Sequence, residues 1–416
     1  MSPSLAAQPW IAWPSTTAVF DALEALGGAE SARFVGGCVR NAVLDRPVDD
    51  IDIATPLTPD LVIRAVEAAG LRAVPTGVDH GTVTAIVKGR PFEITTLRRD
   101  VETDGRRAVV AFTTDWAEDA ARRDFTLNAL YADRQGEIFD PTGEGLADAR
   151  AGRIRFVGEA GQRIREDYLR ILRFFRFLAW YGRGEPDRAA LEACAALKDG
   201  VSTLAAERIS KELLKLLAAD DPRTAMELMD KAGVLRLILP ETVRLARFDR
   251  LAAIESEQLF VVDGALRLAA LAPDEAGAAA RIAARLRLSN ALRDRLVAAL
   301  GPGPQLASGM SPRALRRAVY QLGPAVFTDR LKLAWAGAER AGETARWRSL
   351  LAMAEAWTPP VFPLNGEDAM AAGAPKGPKV GEVLRAVEAW WIEQDFPDDK
   401  PAMAERLKAA AKELGA

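Results

Sequence analysis

Two hydrophobic rhythms divide the chain. Up to about residue 157, short apolar runs of period two are interleaved with stretches of helical spacing. Beyond Gly158 nearly every segment has the helical period. Asp21–Leu26 reads as a helix, and Arg33–Val35 as a short strand ending in Gly36-Gly37. Val39, Ala42 and Val43 resume helical spacing before a turn at Asp45-Arg46-Pro47. Asp50-Ile51-Asp52-Ile53 alternates strictly, which predicts a strand with both aspartates on one face. Thr58-Pro59 opens a helix, with a cap residue followed by proline. Thr82–Val87 and Phe92–Leu97 read as a hairpin joined across Lys88-Gly89-Arg90-Pro91. Arg98–Ala108 is charged, contains Gly105 and has no apolar period, so it reads as a loop. Asp115-Trp116-Ala117-Glu118 has the form of a capping box. The helical part is broken by Gly/Pro signals such as Gly182–Pro186, Leu239-Pro240, Gly301–Pro304 and Pro359–Pro363. The pattern predicts an α/β head followed by a long all-helical body.

Composition narrows the chemistry. With 416 residues, 49% of them hydrophobic, the chain can fill about two to four packed units. No apolar run approaches the roughly 20 residues of a membrane span, and the N-terminus lacks the marks of a secretory signal. No membrane association is expected. Two cysteines, Cys38 and Cys194, exclude a disulfide scaffold or a cysteine-rich zinc site and fit a reducing cytoplasm. A single histidine, His80, excludes multi-histidine mechanisms. Chemistry must rest on carboxylates, arginines and backbone. The net charge of −3 gives no hint of a partner, but residues 281–348 carry thirteen Lys/Arg against four acids. Solvated helix faces and a phosphate-facing surface both fit that excess.

Four constellations carry chemistry. Gly36-Gly37-Cys38-Val39-Arg40 stands at a strand-to-helix junction. Glycine lets backbone amides approach a ligand there, the helix N-terminus favours anions, and Arg40 can grip phosphate oxygens. Asp50 and Asp52 can share divalent cations, and Mg²⁺ suits such carboxylates combined with substrate phosphates. Glu93, on the polar face of its strand, is either solvated or a third metal carboxylate. Arg123 can clamp an anion beside a polar pair, Asp124 and Asn128, suited to a ribose. Glu166–Phe177 reads as one helix on which Asp167 and Arg170 can read a base edge, with Arg173 and Arg176 beside them; an ordinary surface ion pair is the plainer alternative.

Gly-Gly-Cys-Val-Arg, Asp-Ile-Asp-Ile-Ala-Thr, His80-Gly81-Thr82-Val83, Arg-Arg-Asp-Phe-Thr-Leu-Asn-Ala and Glu-Asp-Tyr-Leu-Arg occur in this order. In that series the chain resembles class II tRNA nucleotidyltransferases, the CCA-adding enzymes, and bacterial poly(A) polymerases. The match runs from about Phe34 to Leu217, with a weaker echo at Pro363–Asp368. The resemblance implies an α+β head of the polymerase-β-like type, then an all-α neck, body and tail: head 1–157, neck 158–218, body 219–300 and tail 301–416. It implies two Mg²⁺ ions on Asp50, Asp52 and Glu93, and triphosphate and sugar contacts from Gly36, Gly37, Arg40, Arg123, Asp124 and Asn128. It further implies pairing of Asp167 and Arg170 with the base of CTP or ATP, next to Arg173 and Arg176. The partner it implies is tRNA, bound by the helical tail, with no obligate protein partner, and the 98–108 loop is the lever that refits the pocket from cytosine to adenine. One departure stands out: the family usually has an acid where this chain has Asn41. Poly(A) addition, CC-only or A-only addition, and an inactive RNA-binding relative are the competing readings; intact Asp50 and Asp52 argue against the last.

Overall fold

In a computed structural model the described residues are 4–100, 110–241, 243–273, 275, 277–338 and 343–415. The chain divides into two compact units, Met1–Pro240 and Glu241–Ala416. The segments read as head and neck both lie within the first unit.

The first unit contains β1 (Arg33–Val35), β2 (Asp52–Thr55), β3 (Arg72–Gly77), β4 (Thr82–Val87), β5 (Arg90–Thr96), β6 (Arg98–Asp100), β7 (Val110–Phe112), β8 (Tyr131–Ala132) and β9 (Ile138–Phe139). Seven strands form one sheet in the order β3-β4-β5-β2-β1-β8-β9, and β6 pairs only with β7. The β2–β5 pair is parallel, with Asp52 opposite Glu93 and Ile53 opposite Ile94. One row across the sheet, Val83-Ile94-Ile53-Phe34-Ala132, follows from the pairings and is wholly buried. Helices α1 (Pro14–Gly27) and α3 (Pro59–Ala68) pack together over the sheet, and Trp10 and Phe20 meet Phe34 with ring centroids 4.7 and 4.5 Å away. Because side chains alternate, Asp52 and Glu93 occupy the opposite face. The hairpin between β4 and β5 turns on Lys88-Gly89 alone, both at positive φ, as a two-residue turn requires.

Between β1 and β2 lies α2 (Gly37–Val43). Later come α4 (Trp116–Ala121), α5 (Gly145–Ala151), α6 (Ala160–Glu166), α7 (Leu169–Tyr181), α8 (Arg188–Ala196), α9 (Ala206–Leu217), α10 (Arg223–Lys231) and α11 (Val234–Ile238). Helix α7 is fastened to the sheet-bearing part by phenylalanines. Phe125 lies 4.9 Å from Phe156 and 5.0 Å from Phe177, and Phe156 lies 5.9 Å from Phe174.

Three sequence expectations need correction here. Arg98–Asp100 is a strand, because its backbone finds a partner in β7; the rest of the expected loop, 101–108, lies outside the described residues. Strand β2 begins at Asp52, so Asp50 stands just ahead of it. Glu166–Phe177 is not one helix. Asp167 is extended (φ −154°, ψ 105°), and its Oδ1 accepts from the Leu169 amide at 3.1 Å, starting α7 afresh.

The second unit is helical: α12 (Leu245–Glu257), α13 (Gly264–Leu271), α14 (Ala278–Arg285), α15 (Asn290–Leu300), α16 (Pro312–Leu322), α17 (Pro324–Gly337), α18 (Thr344–Ala356), α19 (Gly366–Ala371), α20 (Pro378–Glu393) and α21 (Lys400–Gly415). The C-terminal echo at Asn365 is a capping box, with Asp368 at its third position. No described helix is long and apolar enough to cross a membrane. The basic stretch proves less unbalanced than its linear count. Arg281, Arg285, Arg295 and Arg316 pair with Glu275, Glu241, Asp263 and Asp395, all from outside it. Arg313, Arg317 and Arg348 remain exposed. Arg340 lies outside the described residues.

Arg267 and Glu255 form a wholly buried pair at 2.6 Å. Arg267→Met leaves that carboxylate buried with a cation gone, at a cost of about 3–5 kcal/mol. Urea unfolding is expected to show the loss, and Arg267→Met combined with Glu255→Leu to recover at least half of it. A double variant no more stable than the single one contradicts this account.

Candidate active site

The site begins where β1 runs into α2. Gly36 adopts φ 68°, ψ −117°, a conformation open to glycine, and its amide donates to the Leu130 carbonyl at 3.1 Å. This turn puts Arg40 on α2, where the residue is only 8% exposed. One terminal nitrogen donates to Asn128 Oδ1 at 2.6 Å. Nε and the other terminal nitrogen donate to Asn41 Oδ1 at 3.1 and 2.9 Å. Asn41, at the position that is usually acidic, is thus a hydrogen-bonding residue; its amide also donates to the Pro47 carbonyl at 2.9 Å.

On the open sheet face Asp52 and Glu93 stand in register on neighbouring strands, with Asp50 two residues earlier. Burial pushes the Asp52 carboxyl up to about 6, assisted by Glu93 and Asp50 and opposed by Arg123 and Arg40. Carboxylates that repel one another in this way are suited to a divalent cation. The nearby Cys38 thiol is pushed up to about 12 by burial, stays protonated at neutral pH and offers no ligand. Only hard oxygen donors remain, which fits Mg²⁺. Among the described residues no three such side chains converge into a complete ligand set.

Arginines face these acids. Asp119 is 1% exposed and accepts from Arg122 at 2.6 Å, Arg123 at 2.9 Å and the Tyr131 hydroxyl at 2.7 Å. Burial alone would raise its carboxyl, but Arg123, Arg122 and Tyr131 outweigh that and hold it well below the usual carboxylate range. Asp124 accepts from Arg173 Nε at 2.7 Å, from Asn128 at 3.0 Å and from the Phe125 amide at 2.9 Å. It is engaged in holding Arg173, so a ribose contact from it must displace one of these partners. Arg176 lies 3.0 Å from the buried Glu212 of α9.

These groups line one cleft of about 580 Å³: Gly36, Gly37, Arg40, Asp52, Arg123, Asp124, Asn128, Arg173 and Arg176, joined by Phe177, Trp180, Tyr181 and Lys215. Five cations against two carboxylates, Asp52 and Asp124, suit a polyphosphate. The amino-acid series that suggested the site belongs to a wider similarity. Residues 32–155 match the poly A polymerase head domain, and residues 185–245 the probable RNA and SrmB-binding site of polymerase A. The mitochondrial CCA tRNA nucleotidyltransferase 1 of Mus musculus is 33% identical over 386 residues, 90% of this chain and 86% of the relative. The CCA-adding enzyme of Latilactobacillus sakei is 32% identical over 397 residues, 94% of this chain and 96% of the relative. The chain belongs to the CCA-adding enzyme family of nucleotidyltransferases. Its fold is that of the Bacillus stearothermophilus CCA-adding enzyme in complex with CTP (TM-score 0.72, 24% identity, covering 97% of this chain and 99% of that one). It is equally that of the Thermotoga maritima CCA-adding enzyme complexed with tRNA (TM-score 0.69, 21% identity, covering 98% and 97%). The α+β head and helical remainder expected from the sequence are therefore those of this family.

Not every candidate of this family member lines the cleft. Asp50 and Glu93 are exposed beside it. Asp167 pairs with Arg208 of α9 at 2.7 Å. Arg170 pairs with Glu166 and donates to the carbonyls of Arg163 at 2.8 Å and Arg122 at 3.1 Å. Conversely, Trp180, Tyr181 and Lys215 were missed. The first two continue the helical ridge of Arg173, Arg176 and Phe177 by another turn, a signal the spacing did carry. Lys215 comes from α9 and had none.

Asp119→Asn keeps the shape of the Arg123 anchor and removes its charge. A carboxyl held this low contributes stability that is fully present above about pH 4 and is lost as pH falls below it. The wild type is expected to exceed the variant by about 3–5 kcal/mol at pH 7, with the gap narrowing as pH falls towards 3. Parallel pH–stability curves from chemical denaturation contradict the assignment.

Proposed function

We propose that the chain adds C, C and A to the 3′ end of tRNA from CTP and ATP, releasing pyrophosphate. The observation that carries this reading is the cleft itself, where the half-buried Asp52 faces Arg40, Arg123, Arg173, Arg176 and Lys215. Support also comes from relatives named as CCA-adding enzymes that match nearly the whole chain, and from fold neighbours solved with CTP and with tRNA. Both cysteines are buried and unbridged, in keeping with work in the cytoplasm.

Asp50, Asp52 and Glu93 would hold two Mg²⁺ ions. Such ions, when bound, activate the attacking 3′-hydroxyl and steady the departing pyrophosphate. Arg40 and Arg123 draw the triphosphate against the turn at Gly36-Gly37, whose helix N-terminus favours its charge. Arg173 and Arg176 extend that grip along α7. The buried acids Asp119 and Asp124 keep two of these arginines in fixed rotamers, so the cleft meets the developing charge already organised. Asp167 and Arg170, with Arg208 and Glu166 as present partners, stand as the base-reading pair. The head, neck, body and tail ranges assigned above remain functional segments of this proposal, with tRNA gripped by the second unit through exposed arginines such as Arg313 and Arg317.

The decisive assay incubates the chain with tRNA ending at the discriminator base, CTP, ATP and Mg²⁺, then sequences the added tails. CCA ends are expected. Oligo(A) tails would favour the poly(A) polymerase reading, and CC or A alone a partial activity. Asp52→Ala is expected to lower transfer by at least about a thousandfold with tRNA affinity within twofold, since the carboxylate acts on the transition state. Near-normal turnover in that variant removes Asp52 from the site.

A pH effect follows from the raised Asp52 carboxyl. Its protonated form predominates below about pH 6 and must lose its proton before it can bind a metal. The Mg²⁺ concentration for half-maximal activity is therefore expected to rise as pH falls through 6, with excess Mg²⁺ restoring much of the rate. In the metal-free chain the sign for stability is the opposite of the Asp119 case. The contribution is present below the ordinary carboxylate range and is lost as pH rises through about 6. An Mg²⁺ requirement that is flat from pH 5 to 8 contradicts the assignment.

A further inference from the structure

No carboxylate hydrogen-bonds Arg40, although Asp124 behind Asn128 acts on it through space. The hydrogen-bond acceptors of Arg40 are Asn41 Oδ1, Asn128 Oδ1 and the Tyr181 hydroxyl, the last at 2.8 Å. A guanidinium has five N–H groups, and this arrangement uses four. The Tyr181 hydroxyl also donates to Asn41 Oδ1 at 3.3 Å, closing a triangle of Arg40, Asn41 and Tyr181. The Tyr181 ring contributes as well, since the guanidinium carbon lies over it, 4.2 Å from the centroid. Arg46 stands over the same ring at 4.9 Å. Tyr181 is the last residue of α7, the helix that also carries Arg173 and Arg176, whereas Arg40 and Asn41 belong to α2 beside the metal-facing strand.

A carboxylate partner would fix Arg40 equally well, but it would neutralise much of the charge that an incoming anion feels. Neutral acceptors fix the direction of the guanidinium and leave its charge available to the cleft. Two of these acceptors come from other parts of the chain, Asn128 from the segment before β8 and Tyr181 from the end of α7. The Tyr181 hydroxyl therefore makes the orientation of Arg40 depend on the seating of α7.

We propose that Tyr181 is a positioning residue, which through its hydroxyl and ring aims Arg40 at the triphosphate of the incoming nucleotide and ties α7 to the phosphate end of the cleft. This rests on the reading above that the cleft takes a nucleoside triphosphate, and adds the group that sets its buried arginine in place. A positioning role of this kind is blind to the base. It acts on binding of the phosphates, which CTP and ATP share.

The test compares the wild type with Tyr181→Phe, Tyr181→Leu and the double variant Asn41→Asp with Tyr181→Phe. CTP kinetics are measured on tRNA lacking the tail, and ATP kinetics on tRNA ending in CC. Calorimetry of inorganic tripolyphosphate with the full chain and Mg²⁺ gives a readout independent of turnover. Tyr181→Phe is expected to raise KM for CTP and for ATP by the same factor, roughly tenfold for one hydrogen bond to a charged group, with kcat within twofold. Tripolyphosphate affinity is expected to fall by that factor. Tyr181→Leu, which also loses the ring beneath the guanidinium, is expected to weaken it further. Asn41→Asp is expected to restore most of the loss in Tyr181→Phe, because a carboxylate at 41 holds Arg40 without the hydroxyl. Unequal changes for CTP and ATP would make Tyr181 a base contact and overturn the proposal. So would unchanged tripolyphosphate affinity, or a fall in kcat and thermal stability that Asn41→Asp does not rescue. If Tyr181→Leu does not fold, Tyr181→Phe and its rescue decide. If the wild type adds neither C nor A, the proposed function fails while the tripolyphosphate measurements still test the role of Tyr181.

Discussion

Asp52 and Glu93 repel each other, yet the sheet holds them side by side. What holds them is the apolar row on the other face. In the parallel pair β2–β5 the same register that sets Asp52 opposite Glu93 sets Ile53 opposite Ile94, in line with Phe34 and Val83. A slip of one residue in β2 would turn Ile53 out and Asp52 in. Burying an Ile or Phe side chain is worth about 1.5–3 kcal/mol each, and burying an unpaired carboxylate costs several kcal/mol more. Those penalties exceed the repulsion of two acids that reach solvent on the open face. The hydrophobic core thus fixes the electrostatics of the site, and the Asp52 carboxyl is raised there by burial first and by Glu93 and Asp50 second.

A second tier of buried acids does for the arginines what the core does for the carboxylates. Asp119 and Asp124 lie deeper than the groups they hold, and each joins segments that are separate in sequence. Asp119 gathers Arg122, Arg123 and Tyr131; Asp124 ties Arg173 of α7 to the loop before β8. The cleft keeps an excess of positive charge, five cations against two carboxylates, while Arg123 and Arg173 are each held in one rotamer. Arg40 differs in kind, being held by neutral oxygens alone. The cleft therefore grades from arginines in direct ion pairs on α7 and beside α4 to one on α2 that feels Asp124 and Asp52 only through space.

Much of this was legible in the sequence because its causes are local. Strict alternation in Asp50–Ile53 gave the face shared by Ile51 and Ile53, and Gly36-Gly37 gave the turn into α2. Cap chemistry marked the start of α4, where Asp115 accepts from the Ala117 amide at 2.7 Å. Glu118 did not complete a capping box, because the Thr113 hydroxyl claims it at 2.5 Å. Two of the misreadings have their cause in partners distant along the chain. Arg98–Asp100 has no apolar period, and it is a strand only because β7 arrives to pair with it. The basic stretch after residue 280 counted four acids, but Glu241, Asp263 and Asp395 come from either side of it. Asp167 looked like one step along a continuous helix because helical spacing runs through it. Its side chain instead caps the next helix, a competition between local hydrogen bond and helix propagation that periodicity does not register.

The break at Asp167 bears on how a fixed protein surface can act as a template. A base edge is read by donors and acceptors at set positions, and groups on long side chains serve only if something else immobilises them. Arg170 is immobilised by Glu166 and by the carbonyls of Arg163 and Arg122, contacts that use three of its five N–H groups and leave two. Asp167 accepts one bond at each oxygen, from the Leu169 amide and from Arg208, and a carboxylate has lone pairs for about four. The contacts that seem to occupy this pair therefore hold it in place while leaving capacity on both members. Asp167 also acts through space on Arg173, which lines the cleft, so the base-reading candidates lie close to the arginines proposed to bind phosphate. In the proposed function the two roles then divide along α7, with base reading by Asp167, just ahead of the helix, and Arg170 in its first turn, and phosphate grip towards the end that Tyr181 closes.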